Sequence, residues 1–165
     1  MRTLVSLLFV GLLACSGSTP PPNDPDGATP EEEAAAPSPG AACIAKANDL
    51  PAEPADAPLT VTVAHVLIKH RDADRAGAEI TRSREEACLR AVEALDALKA
   101  GQDFDAVAAS YSDEAGADTR GGVIGEVRRE EVAPPFAAAA FALEVGQVSY
   151  VTETDFGFHI ILRSR

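Results

Sequence analysis

At 165 residues the chain has room for one domain of ordinary size plus a tail, and not for two large domains. The net charge of -12 leaves twelve basic against eighteen acidic residues from Thr60 onward, with no run of basic residues, which argues against nucleic acid as a partner. There is no P-loop, no glycine-rich dinucleotide turn and no Cys-x-x-Cys pair, so neither a cofactor nor a bound metal is expected.

The first segment begins with Arg2 and runs through Leu4, Val5, Leu7, Leu8, Phe9, Val10, Leu12 and Leu13 to Ala14 and Cys15. It is too short for a permanent membrane helix and fits an export signal over residues 1–14. Leu12, Leu13, Ala14 and Cys15 resemble the lipobox of bacterial lipoproteins, which implies lipid attachment at Cys15. Ser16 after that cysteine implies the outer membrane, with the protein anchored in the cell envelope and facing the periplasm.

Residues 15–59 hold ten of the twelve prolines, an acidic run at Glu31, Glu32 and Glu33, and few bulky apolar side chains. Such a segment buries too little to offset its ordering entropy, so it is expected to be a disordered linker. Of the remaining cysteines, Cys43 falls in this linker and Cys88 in a helix. Export permits a bridge between them, but the favoured reading is a small core residue at Cys88 and a free thiol at Cys43.

The folded domain is expected over residues 60–165. Val61 to Lys69 is rich in β-branched residues and apolar on both parities, the pattern of a strand covered on both faces. Period two sets Val63, His65, Leu67 and Lys69 on one face. A polar loop containing His70 follows. Ser83 with Glu86 forms a capping box that opens a helix ending at Gly101, and Asp103 is expected to cap a second helix carrying Phe104, Val107, Ala108 and Tyr111 at helical spacing. Gly121 and Gly122 open a short strand through Glu126. Pro134 and Pro135 start a helix with Phe136, Ala140 and Leu143 facing inward, stopped by Gly146. Two strands near Gln147–Thr152 and Phe158–Arg163, joined by a short turn, close the chain. The order β-α-α-β-α-β-β with adjacent final strands favours an α+β fold, an antiparallel sheet flanked by helices.

His65 to Lys69, the helix ending in Tyr111, Ser112 and Asp113, the turn at Arg120, Gly121 and Gly122, the run Ala140 to Leu143 with Gly146 and Ser149, and the closing Gly157 to Ile161 resemble parvulin peptidyl-prolyl cis/trans isomerases in sequence and order. The resemblance covers Val61 to Arg165. It implies a four-stranded antiparallel, FKBP-like sheet and a site that turns X-Pro amide bonds. Rotation of such a bond takes tens to hundreds of seconds unaided, and breaks no covalent bond. By the resemblance, His65 and His159 are the paired strand histidines, and Ser112 and Thr154 line the site. Glu114 takes the place where many relatives have Cys or Asp. Leu67 belongs to the substrate-binding surface, and Ile124, Val132 and Phe136 form the proline pocket, with Val132 smaller than the family's usual Met. Lys69 and Arg75 match the anion-binding loop of relatives that prefer phosphorylated Ser or Thr before proline, although Asp74 replaces a second Arg there. The implied partners are proline-containing polypeptide clients, and a monomer is expected. The rival function is a peptide-binding holdase that keeps the groove without turnover.

Overall fold

The computed structural model describes residues 36–165, and the expected signal segment and Cys15 lie outside them. Ala36–Arg165 forms one compact unit. Its first element, α1 (Pro39–Ala47), is capped by the Ser38 hydroxyl, which accepts a hydrogen bond from the Ala41 amide at 3.1 Å. This helix corrects the expectation of a linker disordered up to residue 59. Cys43 bonds to Cys88, so the bridge is the alternative that holds, and Cys43 and Ala47 are buried. A few small side chains and one covalent bond supply the burial that the polar composition seemed to deny.

Strand β1 (Thr60–Ile68) follows, then α2 (Arg84–Lys99), where Ser83 and Glu86 make the expected reciprocal capping box. Helix α3 (Phe104–Tyr111) begins at Asp103, whose side chain makes no capping hydrogen bond. A short α4 (Ala117–Arg120), absent from the sequence reading, leads into β2 (Val123–Arg128) and a 3-10 turn at Arg129–Glu131. Helix α5 (Pro134–Ala142), β3 (Thr152–Thr154) and β4 (Gly157–Arg163) complete the unit.

The sheet is antiparallel throughout in the order β2-β1-β4-β3. The strand expected near Gln147–Thr152 falls instead at Thr152–Thr154, and only an isolated bridge from Val148 to Leu162 remains of its first part. Upstream of β3 the Ser149 amide donates to the Ile161 carbonyl and the Ser149 hydroxyl accepts from the Ile161 amide, so a serine takes up a backbone donor of β4. Alternation along β1 divides the core as period two requires. Val66 and Ile68 pack with Cys88, Leu95, Val107 and Phe158, while Val61 and Val63 pack with Phe136, Phe141 and Ile161 under α5.

Two glycines set the close approaches. Gly122 has φ 72°, its carbonyl accepts from the His65 amide at 2.8 Å, and a Cβ there would collide with the His65 carbonyl oxygen. Gly157, with φ 128°, lies so close to the Ile68 carbonyl that any side chain would force β4 away from β1.

Candidate active site

The register of β1 on β4 places Leu67 opposite His159 and His65 opposite Ile161, so the two histidines sit diagonally on one face. Their rings stack at a centroid distance of 5.3 Å, and the two Nδ1 atoms are 3.1 Å apart. At one end, His159 Nε2 is 2.7 Å from the Thr154 hydroxyl oxygen, which also accepts the Phe156 amide at 3.1 Å. At the other, His65 Nε2 is hydrogen-bonded to the Glu114 carboxylate, and Arg120 stands 3.6 Å from the second carboxylate oxygen. The four side chains form one continuous chain from Thr154 to Glu114.

Burial holds the pKa of His159 well below the ordinary histidine value, and the charge of His65 adds to the shift. His159 is therefore neutral and carries one ring proton. With that proton on Nδ1, His159 donates to His65, accepts from the Thr154 hydroxyl, and His65 donates from Nε2 to Glu114. With it on Nε2, His159 donates to Thr154 and accepts from His65 at Nδ1, while His65 Nε2 still faces Glu114. Either arrangement keeps every link from Thr154 to Glu114 hydrogen-bonded. Glu114 is the fixed acceptor in both arrangements. The hydrogen bond from His65 lowers its pKa against the opposing effect of burial, with further help from the charges of His65, Arg120 and Lys69.

Above the imidazoles lies a cavity of about 200 Å³ lined by His65, Ile124, Val132, Phe136, Phe156 and His159, with Glu131, Ala133 and Thr154 at its edges. Phe136 meets His159 edge-on at 5.3 Å and His65 at 5.9 Å, so its ring is fixed by the pair it overlooks. Small and mostly apolar, the cavity suits a pyrrolidine ring. A wider concavity of about 540 Å³ adjoins it across Thr154, but Asp72, Asp74, Glu153 and Asp155 make that one polar.

Ile124, Val132, Phe136, His65, His159, Thr154 and Glu114 are thus brought together as expected. Two other expectations need correction. Ser112 does not line the cavity; its hydroxyl accepts the amides of Leu67 at 3.1 Å and Glu114 at 3.4 Å, and so it shapes the turn carrying Glu114. Leu67 is buried and does not line the cavity; its amide and carbonyl are taken by Ser112 and Asp113. Lys69 and Arg75 stand outside the cavity. The Lys69 ammonium donates to the Arg75 carbonyl at 2.9 Å, and the Arg75 guanidinium sits 5.5 Å from the centre of the Phe156 ring. His70, read as a loop residue, is buried beside Phe158, and its Nδ1 accepts the Asp72 amide at 3.3 Å.

Sequence reasoning missed Phe156, Glu131 and Arg120. Phe156 lay in plain view as the middle of the Asp155-Phe156-Gly157 turn, yet only the folding of that turn over β4 brings it to the pocket. Arg82 was missed as well. It donates to the Asp113 carboxylate at 2.5 Å and the Lys69 carbonyl at 2.9 Å, while Asp113 accepts the Lys69 amide at 2.8 Å, which locks the turn before Glu114 to the end of β1.

A sheet of this topology, with paired strand imidazoles beneath a small apolar pocket, defines a parvulin-type isomerase site. The Rotamase family, described as PPIC-type PPIASE domain, matches residues 65–165, and the chain belongs to it. It is 39% identical over 117 residues to "Peptidyl-prolyl cis-trans isomerase pin1" of Schizosaccharomyces pombe, covering 68% of this chain and 66% of that protein. The solved structure of peptidyl-prolyl isomerase ESS1 from Candida albicans superposes with a TM-score of 0.60 at 32% identity, covering 75% of this chain and 73% of that one. "Foldase protein PrsA" of Halalkalibacterium halodurans is 40% identical over 72 residues, which is 44% of this chain and 22% of that protein.

Proposed function

We propose that this protein isomerises X-Pro bonds in exported polypeptides at the cell envelope, with a preference for an acidic or phosphorylated residue before proline. The observation that carries the isomerase reading is the pyrrolidine-sized pocket set on the His65–His159 pair. The twisted amide has lost its C–N conjugation, so a site that excludes water and presents fixed donors binds it better than the planar ground state. An acceleration of about 10³ requires only about 4 kcal/mol of such differential binding.

For the anion preference, the support is the placement of positive charge beside the pocket. Arg75 stacks on Phe156, a pocket wall, and has φ 57°, which makes it the one non-glycine residue with positive φ among the described residues. Lys69 braces its carbonyl. Asp72 and Asp74 in the same loop moderate the field, and Arg71 is turned toward Asp72 at 3.6 Å. Envelope residence is supported by the likeness of Leu12–Cys15 to a lipobox and by the Cys43–Cys88 bond, which belongs to an oxidising compartment. The likeness to a foldase protein fits polypeptide clients.

A protease-coupled cis/trans assay on short peptides with Glu, phospho-Ser or Leu before proline tests both statements. Faster turnover of the first two is expected, and equal rates for all three would remove the anion preference. No acceleration of any peptide, together with suppression of client aggregation, would replace the isomerase by a holdase. Labelled palmitate should appear on the protein in cells and disappear in Cys15→Ser.

A further inference from the structure

The region matched by the family begins at residue 65, yet the compact unit begins at Ala36, and the difference includes α1 and the chain that follows it. That stretch is tied down at three places. Cys43 is bonded to Cys88 of α2. Asn48, which caps the end of α1, uses one amide hydrogen for the Ile44 carbonyl at 2.9 Å and the other for the Glu153 carboxylate at 2.7 Å. Farther on, Glu53 pairs through both carboxylate oxygens with Arg129, whose guanidinium lies 4.3 Å over the Phe141 ring.

The two polar ties end on the two sides of the proline pocket. Glu153 sits in β3 between Thr152, paired in register with His159, and Thr154, whose hydroxyl meets His159 Nε2. Arg129 belongs to the 3-10 turn that leads into Val132, a pocket wall. Strand β3 needs outside help. It has three residues, lies at the sheet edge, and is hydrogen-bonded to a neighbour on one side only. Arg84 supplies a second tie, donating to the two Glu153 oxygens at 2.5 and 2.7 Å, and the carboxylate side chain is only 10% exposed.

We propose that residues 39–53 form a strap that sets the two walls of the proline pocket, with Asn48 and Glu153 as positioning residues that hold Thr154 against His159. Because its first anchor is a disulfide, the strap is complete only in the oxidised protein. The inference rests on the isomerase site described above, and its test includes a readout independent of turnover.

In the full chain, Asn48→Ala, Glu153→Ala, Glu153→Gln and the double variant Cys43→Ser/Cys88→Ser are compared with Val92→Ala, which loosens the same core away from β3. The readouts are kcat and KM on an Xaa-Pro peptide, and the imidazole nitrogen resonances of His159 by NMR. Since small misplacements at a site are costly, kcat should fall roughly tenfold in Asn48→Ala and Glu153→Ala with KM nearly unchanged, and the His159 resonances should shift. Glu153→Gln, which keeps an acceptor oxygen, should recover part of the loss, and Val92→Ala should lower the melting temperature without moving His159. Asn48→Ala and the cysteine double variant both retaining wild-type kcat and His159 resonances, with only the melting temperature reduced, would overturn the proposal. A wild-type protein without isomerase activity would refute the site reading instead, while the His159 resonances would still report on the strap.

Discussion

Glu114 stands at the open end of the imidazole chain, where its charge is the acceptor for His65 in both proton arrangements. A hydrogen bond to a charged group contributes about 1.5–3 kcal/mol, so Glu114→Ala should lower kcat/KM by roughly 10- to 100-fold in the coupled assay. Its lowered pKa fixes the sign of the acid response. The unfolded chain binds the proton near the ordinary value of 4.5 and the folded protein only below it, so the contribution of the pair is complete above 4.5 and is lost as pH falls further. Glu114→Gln should flatten that part of the stability profile. His159 acts at higher pH. Its folded pKa lies well below 6.5, so the stability associated with the neutral buried ring is whole above 6.5 and erodes as the solution is acidified past it. Thermal melting from pH 7.5 to 5 should show the decline, while the His159 imidazole remains neutral by NMR until well below 6.5. At the pocket wall, Phe136→Ala should abolish most turnover and cost about 3–5 kcal/mol in urea unfolding, because the ring is nearly fully buried among Phe141, Val63 and the imidazoles.

Among the elements, α1 and α2 are joined more firmly than their sequences suggest. The Cys43–Cys88 bond closes a loop of 45 residues, which in the chain-entropy view contributes on the order of 4 kcal/mol by restricting the unfolded chain. Reductant should therefore lower the denaturation midpoint of the wild type and leave Cys43→Ser/Cys88→Ser unaffected. Helix α2 carries its own start signal, and Ser83→Ala should cost about 1 kcal/mol by removing the acceptor for the Glu86 amide. The reciprocal bond of the capping box, from the Ser83 amide to the Glu86 carboxylate, lowers the pKa of Glu86. Helix α3 is held differently. Asp103 makes no capping bond, and the buried Val107 and Ala108 against the sheet take its place.

For the molecule as a whole, the sheet is covered on both faces, and the site lies where α5, the β3–β4 turn and the Glu114 turn converge on one of them. The compact unit, Ala36–Arg165, thus extends beyond the residues that match the family. A chain beginning at residue 60 should unfold at lower urea concentration than one beginning at residue 36, since it loses the Cys43–Cys88 bond and the buried Cys43 and Ala47. Surface charge acts at this scale too. The anion preference proposed above would rest on partly exposed cations beside acids, so it should weaken as salt is raised, whereas turnover of Leu-Pro peptides should not.

What could be read from the amino-acid order was whatever depends on neighbours in the chain. The alternation from Val61 to Lys69, the Ser83–Glu86 capping box and the proline start of α5 each encode an element locally, and the parvulin resemblance assigned His65, His159, Phe136 and Glu114 to one site. The composition of residues 36–59 misled, because hydrophobic content measures what a segment buries by itself and not what it covers on a partner. Only the assembled structure decided that Cys43 reaches Cys88, that Ser112 shapes a turn instead of lining the pocket, and that Phe156 and Glu153 matter at all. These outcomes depend on groups brought together across 45 residues or more, or through a turn whose direction the strand pairing sets, and no local pattern records them.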